Sequence, residues 1–325
     1  MKRFRPSGVW GFILRRLLLG VVVLILVSIL VFLATQALPG DPARAILGRN
    51  ATPASLAALR RQLHLNRPVI DQYWTWVTGL LHGNLGTSLA AQQPVTTLLS
   101  PRLVNSGVLV ALAAVLSIPL SIAIGAYAAL KREKVFDQTS SNLLLALAAL
   151  PEFVVGLLLV ILFSTTVFRD FLPAISTIPP GTRPWNNWVA LVLPTVTLVL
   201  VVAPYVARIM RASMIEVLES DYVEMARLKG LPERTVLVRH ALPNALGPVF
   251  QVIALNLAYL AGGIIVIEYV FNYAGIGSAV RDSVVNHDLP VIQALAMLLA
   301  AVYVILNLLA DVTTILVTPR LRTRL

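Results

Sequence analysis

The sequence predicts an all-α, polytopic membrane protein with six transmembrane helices and both termini in the cytoplasm. Three observations predict it. The 325 residues are 58% hydrophobic and 13% charged, with a mean hydropathy of +0.82, too apolar for a soluble domain of this length. The charges are spaced so that long windows carry none, and a helix crossing a bilayer needs roughly 20 apolar residues. The basic residues gather at alternate ends of those windows, as the positive-inside rule requires.

Taken in order, the uncharged windows are 17–40, 103–130, 138–168 (interrupted by Glu152 alone), 184–207, 241–267 and 289–310. Lipid leaves no backbone group without an internal partner, and the windows are too long for barrel strands, so each is expected to be helical. The first follows Lys2, Arg3, Arg5, Arg15 and Arg16. Its apolar run exceeds a signal-peptide core and no small-x-small site follows, which predicts a retained anchor. With the amino terminus inside, the cytoplasmic segments hold 17 of the 26 Lys and Arg residues, whereas the outside loops 169–183 and 271–290 hold two and one. Six more, from Arg44 to Arg102, lie in one long outside segment, and long segments translocate with little regard to charge. The net charge of +11 and pI near 10.5 thus reflect span ends and not a nucleic-acid patch. The chain has no cysteine, which excludes disulfides, thiolate metal sites and a Cys nucleophile.

The outside segment, 39–101, opens with Leu38-Pro39-Gly40-Asp41-Pro42, which cannot continue a helix. Thr52-Pro53 is an N-cap and first-turn pair leading into a helix over 54–63. A second helix is expected after Pro68, with Ile70, Tyr73, Trp74, Val77 and Leu81 on one face. That face is expected to pack on the membrane bundle or lie at the outer headgroups.

The largest inside connection lies within 212–243. Tyr222, Met225 and Ala226 fall at i, i+3 and i+4, the apolar edge of a short, otherwise charged helix. Gly230 suits the left-handed position that ends such a helix. Leu231, Pro232 and Glu233 restart one, with proline in the first turn and a carboxylate at the positive end of the dipole. A helix, a tight turn and a second helix are expected just beneath the membrane.

This pattern resembles the cytoplasmic motif of ATP-binding cassette (ABC) importer permeases: Glu-Ala-Ala, three residues, Gly, nine residues, then Ile-x-Leu-Pro. Here Glu224, Met225 and Ala226 precede Gly230 by the same spacing, and His240-Ala241-Leu242-Pro243 follows it. Met225 and His240 depart from the motif. Leu38 to Pro42, Leu47-Gly48, Ala51 to Pro53, Gln72-Tyr73, Gly83 to Ser88 and Pro94-Val95 resemble the outside segment of the dipeptide, oligopeptide and nickel permeases. Gly262-Gly263, Glu268 to Phe271, Gly275 to Gly277, Asn307 to Asp311 and Pro319-Arg320 resemble the remainder of that family. Asn84, where the family usually has Asp, and His64-Leu65-Asn66, where Gly-Leu-Asp is common, are loop departures.

The resemblance implies a type I importer permease fold, in which residues 1–38 are the cytoplasmic N-terminus and first span, 39–101 the extracytoplasmic segment, and 102–325 the permease core. It implies that 212–243 is a coupling segment that docks on an ATPase. It implies two ABC ATPase subunits, a second homologous permease, an extracytoplasmic solute-binding protein and a peptide substrate, besides membrane lipid. No G-x-x-x-x-G-K-[ST] loop is present. The chain is therefore expected to be non-catalytic and to bind no cofactor, with ATP and Mg held by the partner ATPases.

Acids within the spans carry their own expectations, because a membrane carboxylate should face protein or water. Glu152, after Pro151, is the candidate for lining a translocation path, near the amino group of a peptide, or else a structural acid. Glu268 belongs to an outer gate or anchors at the interface. Asp311 is expected to pair with a base such as Arg320 or one on a partner chain, and Arg208 and Arg211 to reach headgroups. His64, His82, His240 and His287 are scattered, so no metal site is expected. The readings kept beside peptide import are ABC import of a nickel chelate or glutathione-like cargo, a proton-coupled secondary transporter with Glu152 as carrier, and an intramembrane enzyme using outside His and Asp residues.

Overall fold

The computed structural model describes residues 9–37, 52–62, 66–168, 171–179 and 181–317. The Leu38 to Pro42 opening, Leu47-Gly48, His64 and Pro319-Arg320 lie outside the described residues. Within them all regular structure is helical, apart from one isolated bridge between Thr87 and Pro94.

In chain order the helices are α1 (Val9–Ala37), α2 (Pro53–Gln62), α3 (Val69–Leu81), α4 (Val95–Leu130), α5 (Val135–Ala149) and α6 (Glu152–Val160), which runs into a π turn at Ile161–Thr165. A 3-10 turn, Pro184–Asn187, opens α7 (Trp188–Leu218), followed by α8 (Asp221–Leu228). A single helical turn, Glu233–Thr235, and a π turn, Val236–Ala241, lead into α9 (Leu242–Val270), then α10 (Ile276–Val285) and α11 (Leu289–Val317). Among the described residues, four stretches are long and apolar enough to cross a membrane unbroken: Gly11–Ala37, Val95–Leu130, Pro184–Leu218 and Leu289–Thr313. Two further segments qualify only as bent pairs: α5 with α6 at 105°, and α9, which bends by 57° between Leu257 and Gly262.

Prolines explain both the agreement with the uncharged windows and the departures from it. Pro151 ends a helix because Leu150 before it is extended, at φ −86° and ψ 133°, the conformation that a following proline ring imposes. The third window is therefore two helices and not one. Pro101 does the opposite: α4 starts at Val95 and passes through it, so this helix begins eight residues before the window at 103. Pro194, Pro204 and Pro248 also lie inside helices.

The chain divides into two compact units: Met1–Leu17, Gly107–Tyr273 and Ile305–Leu325 form one, Leu18–Ser106 and Ala274–Val304 the other. In the first, α7 is central, packed against α5, α6 and α9. Its apolar window is 72% buried, against 22% for that of α1. Leu198, Val206 and Met210 of α7 share a core with Leu109 and Ala113 of α4 and with Ala245, Val249 and Leu260 of α9. Gly125 lets α4 and α7 touch: a Cβ there would lie 2.7 Å from Met210 Cβ and closer still to the Ala207 carbonyl.

In the second unit, α3 turns Tyr73 and Trp76 onto Phe32 of α1, with ring centroids 5.3 and 5.8 Å apart, and Tyr73 shares a 2.9 Å hydrogen bond with Ser28. Ile70, Trp74 and Leu81 of the predicted face are instead exposed. The packed face is rotated because Trp76, not Trp74, is three residues from Tyr73. Thr52 and Ser55 cap α2 reciprocally, Ser55 N–H donating to Thr52 Oγ1 at 3.2 Å and Thr52 N–H to Ser55 Oγ at 2.9 Å. Asp288, buried at the start of α11, accepts from Ser88 Oγ and from the Leu89 and Ala90 N–H groups at 3.0 and 3.3 Å, which pins the loop that leads into α4.

Candidate functional site

Two places in the first unit bring the singled-out residues together. One is the hairpin between α7 and α9. After α8, Gly230 adopts φ +73°, the left-handed conformation that glycine enters without a Cβ penalty. Its N–H donates to the Arg227 carbonyl at 2.9 Å, and the Leu231 N–H reaches back to the Ala226 carbonyl at 3.4 Å. That pair of bonds is a Schellman motif. Arg227 forks onto Glu233 across the turn, at 2.8 and 3.2 Å, and holds the Glu233 carboxyl below its ordinary pKa.

Inside the hairpin, Val223, Ala226 and Val236 close over Val217 and Leu218. The predicted apolar edge is thus split. Ala226 packs inward with Val223, its i−3 neighbour, while Tyr222 and Met225 face outward, 45% and 52% exposed. Leu228 and Leu231 are exposed beside them in sequence, as are Glu224 and Pro232. His240 is half-buried in the π turn, Leu242 starts α9, and Pro243 sits in its first turn. The hairpin thus fills its own core with small apolar side chains and leaves four larger ones, Tyr222, Met225, Leu228 and Leu231, exposed.

The hairpin is fastened to its own unit. Glu219, where it leaves α7, pairs with Arg132 of the α4–α5 connection. Arg211 forks onto Asp137, with Nη2 donating to Oδ2 at 2.7 Å, and the Glu133 N–H adds a bond at 2.9 Å. Arg211 therefore does not reach for headgroups. The carboxylate it serves is 3% exposed, and a charge so buried requires a paired, hydrogen-bonded partner.

The second place is the break at Pro151. Glu152 opens α6, and its Oε2 accepts a 3.3 Å hydrogen bond from the Tyr259 hydroxyl of α9. A Cβ at Gly263 would lie 2.9 Å from that same oxygen, so glycine is what gives the carboxylate room. The break opens a cleft of about 550 Å³ lined by Leu147 to Glu152, Val201, Tyr205, Leu255, Asn256 and Tyr259, within the size range of small-molecule sites.

The other two acids are placed differently. Glu268 is fully enclosed near the end of α9, where its carbonyl accepts from the N–H of buried Tyr273 at 2.8 Å. Asp311 pairs with Arg16 at 3.0 Å, whereas Arg320 lies outside the described residues.

Residues 121–323 match the family model described as the binding-protein-dependent transport system inner membrane component, and residues 9–109 match its N-terminal counterpart. The chain belongs to this family. Among relatives of this transport component, a probable peptide ABC transporter permease of Sinorhizobium fredii is 37% identical over 311 residues, 96% of this chain and 99% of that one. Glutathione transport system permeases of Pectobacterium atrosepticum and Salmonella choleraesuis are each 36% identical over 312 residues, with the same coverage. A solved amino acid ABC transporter, crystallised with histidines, covers 67% of this chain and 94% of its own at a TM-score of 0.49 and 17% identity.

Several residues of this transport component escaped sequence reasoning. Tyr259, Asn256 and Gly263 border Glu152 from more than 100 positions away, and no local pattern announces them. Asp137 carries no expectation from the sequence and Arg211 is expected at headgroups; they lie 74 positions apart, and only the fold pairs them.

Proposed function

We propose that the chain is the membrane permease subunit of an ATP-driven importer that carries peptides into a prokaryotic cell across the cytoplasmic membrane. Each bent pair counts as one span in this reading, which makes six with both termini inside. The chain contributes no catalysis and binds no cofactor. Two ATPase subunits hold ATP and Mg, a second related permease completes the pathway, and an extracytoplasmic binding protein delivers cargo. The faces of α1, α4 and α11 that the fold leaves uncovered then meet lipid or the second permease.

The observation that carries this is the hairpin at Gly230, rigid within and apolar without. A docking element must pass on the movement of its partner instead of absorbing it, so its core, its Schellman turn and the Arg227–Glu233 clamp all suit that role. Family membership selects binding-protein-dependent transport, and the Sinorhizobium relative favours peptides. The glutathione permeases favour a second reading of the cargo, a glutathione-like tripeptide carried by the same machinery.

Reconstitution of the chain with its partner subunits in proteoliposomes tests the proposal. Uptake of dipeptides or glutathione should need ATP and the binding protein. Gly230→Val, which forces a β-branched residue into a left-handed conformation, should leave the complex in the membrane but abolish cargo-stimulated ATP hydrolysis. Uptake without ATP by this chain alone would instead make it a secondary transporter.

A further inference from the structure

We propose that the cleft at the Pro151 break is a station for the cationic group of the cargo, a primary ammonium or a guanidinium, with Glu152 as its counter-ion. The inference rests on the importer reading and names the chemistry that this part of the path selects.

Glu152 is the one charged residue among those lining the cleft, and among the described residues it has no cationic partner within ion-pair distance. Asp137 shows what the same unit provides for an acid with a purely structural role: a forked guanidinium and a backbone N–H. Glu152 receives one phenol at 3.3 Å. Its second oxygen is left to whatever enters the cleft.

The rest of the wall is rich in acceptors. One Asn256 side-chain N–H is engaged by the Val252 carbonyl at 2.8 Å, which leaves the amide oxygen as an acceptor beside one remaining N–H. Leu147 to Leu150 bring the carbonyl end of α5, the negative pole of that helix, to the same wall. Tyr205 and Tyr259 add hydroxyl oxygens and aromatic rings, and rings attract cations. An ammonium carries three donors and no acceptor, a guanidinium five and none. A carboxylate terminus would meet the like charge of Glu152 here. The wall therefore favours the positive end of a peptide or a basic side chain, and Gly263 keeps the carboxylate free to turn toward it.

The full transporter in proteoliposomes, supplied with its binding protein, tests this with two peptide pools measured by mass spectrometry. One contains di- and tripeptides with free amino termini and the other their N-acetylated analogues, both without Lys or Arg. With the wild-type chain, free-amine peptides should be taken up in preference. In Glu152→Gln the ratio of free-amine to acetylated uptake should fall about tenfold, the effect of losing one charge-assisted hydrogen bond, and Glu152→Asp should restore part of it. Affinities of the binding protein are common to all variants and cancel in this comparison. An unchanged ratio, or an equal loss for both pools, would overturn the cation station while leaving ATP-dependent import intact. Absence of ATP-dependent uptake of any peptide by the wild-type complex would overturn the importer reading, and the station with it.

Discussion

The two interruptions in the first unit, at Pro151 and at Gly230, are built in opposite ways. At Gly230 the chain turns through a left-handed residue, and the freed backbone groups bond each other. A forked ion pair crosses the turn, and a small apolar core fills it. At Pro151 the two helices part at 105°, no side chain caps the new helix, and the space between becomes a cleft with a carboxylate on its wall. One interruption closes on itself over small apolar side chains and leaves four larger ones exposed. The other stays open and shows a charge inward. A turn that must transmit force needs internal cross-bracing, whereas a site that must admit and release a ligand needs unspent hydrogen-bonding capacity.

The contrast can be broken first at Asp137, the acid that Arg211 braces. Arg211→Ala strands a carboxylate that is 3% exposed and should destabilise the protein by about 3–5 kcal/mol, while replacing both partners with apolar residues should cost far less. Thermal unfolding in detergent of the two single variants and the double variant would show it, and additive losses would remove the pair from the account. Gly125→Val comes next. Its added carbons collide with Met210 and the Ala207 carbonyl, so stability should drop by about 1–3 kcal/mol as α4 and α7 separate. An unchanged melting temperature would mean that this contact is not close.

The smallest effect is expected at the clamp. Glu233→Gln removes an exposed pair worth about 0–1 kcal/mol, and the loss should shrink as salt is added. Arg227 lowers the Glu233 pKa from 4.5. The clamp's contribution is therefore complete above the ordinary glutamate value and fades as pH falls from there through the lower folded value. A larger penalty for Glu233→Gln at acidic than at neutral pH would contradict that sign.

Much of this was legible in the sequence, because a bilayer leaves little choice. Uncharged windows marked the apolar helices, and a glycine between two short charged stretches marked the hairpin turn. What was not legible came from rotation and distance. Which proline breaks a helix depends on whether its predecessor is held extended, as Leu150 is and Ser100 is not. Which apolar residue of α8 packs inward depends on where Val217 and Val236 lie, so Val223 went unnoticed and Tyr222 and Met225 were placed on one edge with Ala226. The neighbours of Glu152 come from α9, a helix remote in sequence, and only the fold assembles them.

The central claim, that the hairpin is the docking element, is tested most directly at Met225, an exposed apolar side chain in a chain with no native cysteine. Met225→Cys in the assembled transporter, treated with a short bifunctional maleimide, should join this chain to an ATPase subunit and should resist a membrane-impermeant thiol reagent applied from the outside. Labelling from the outside, or no adduct with an ATPase subunit in any nucleotide state, would contradict it.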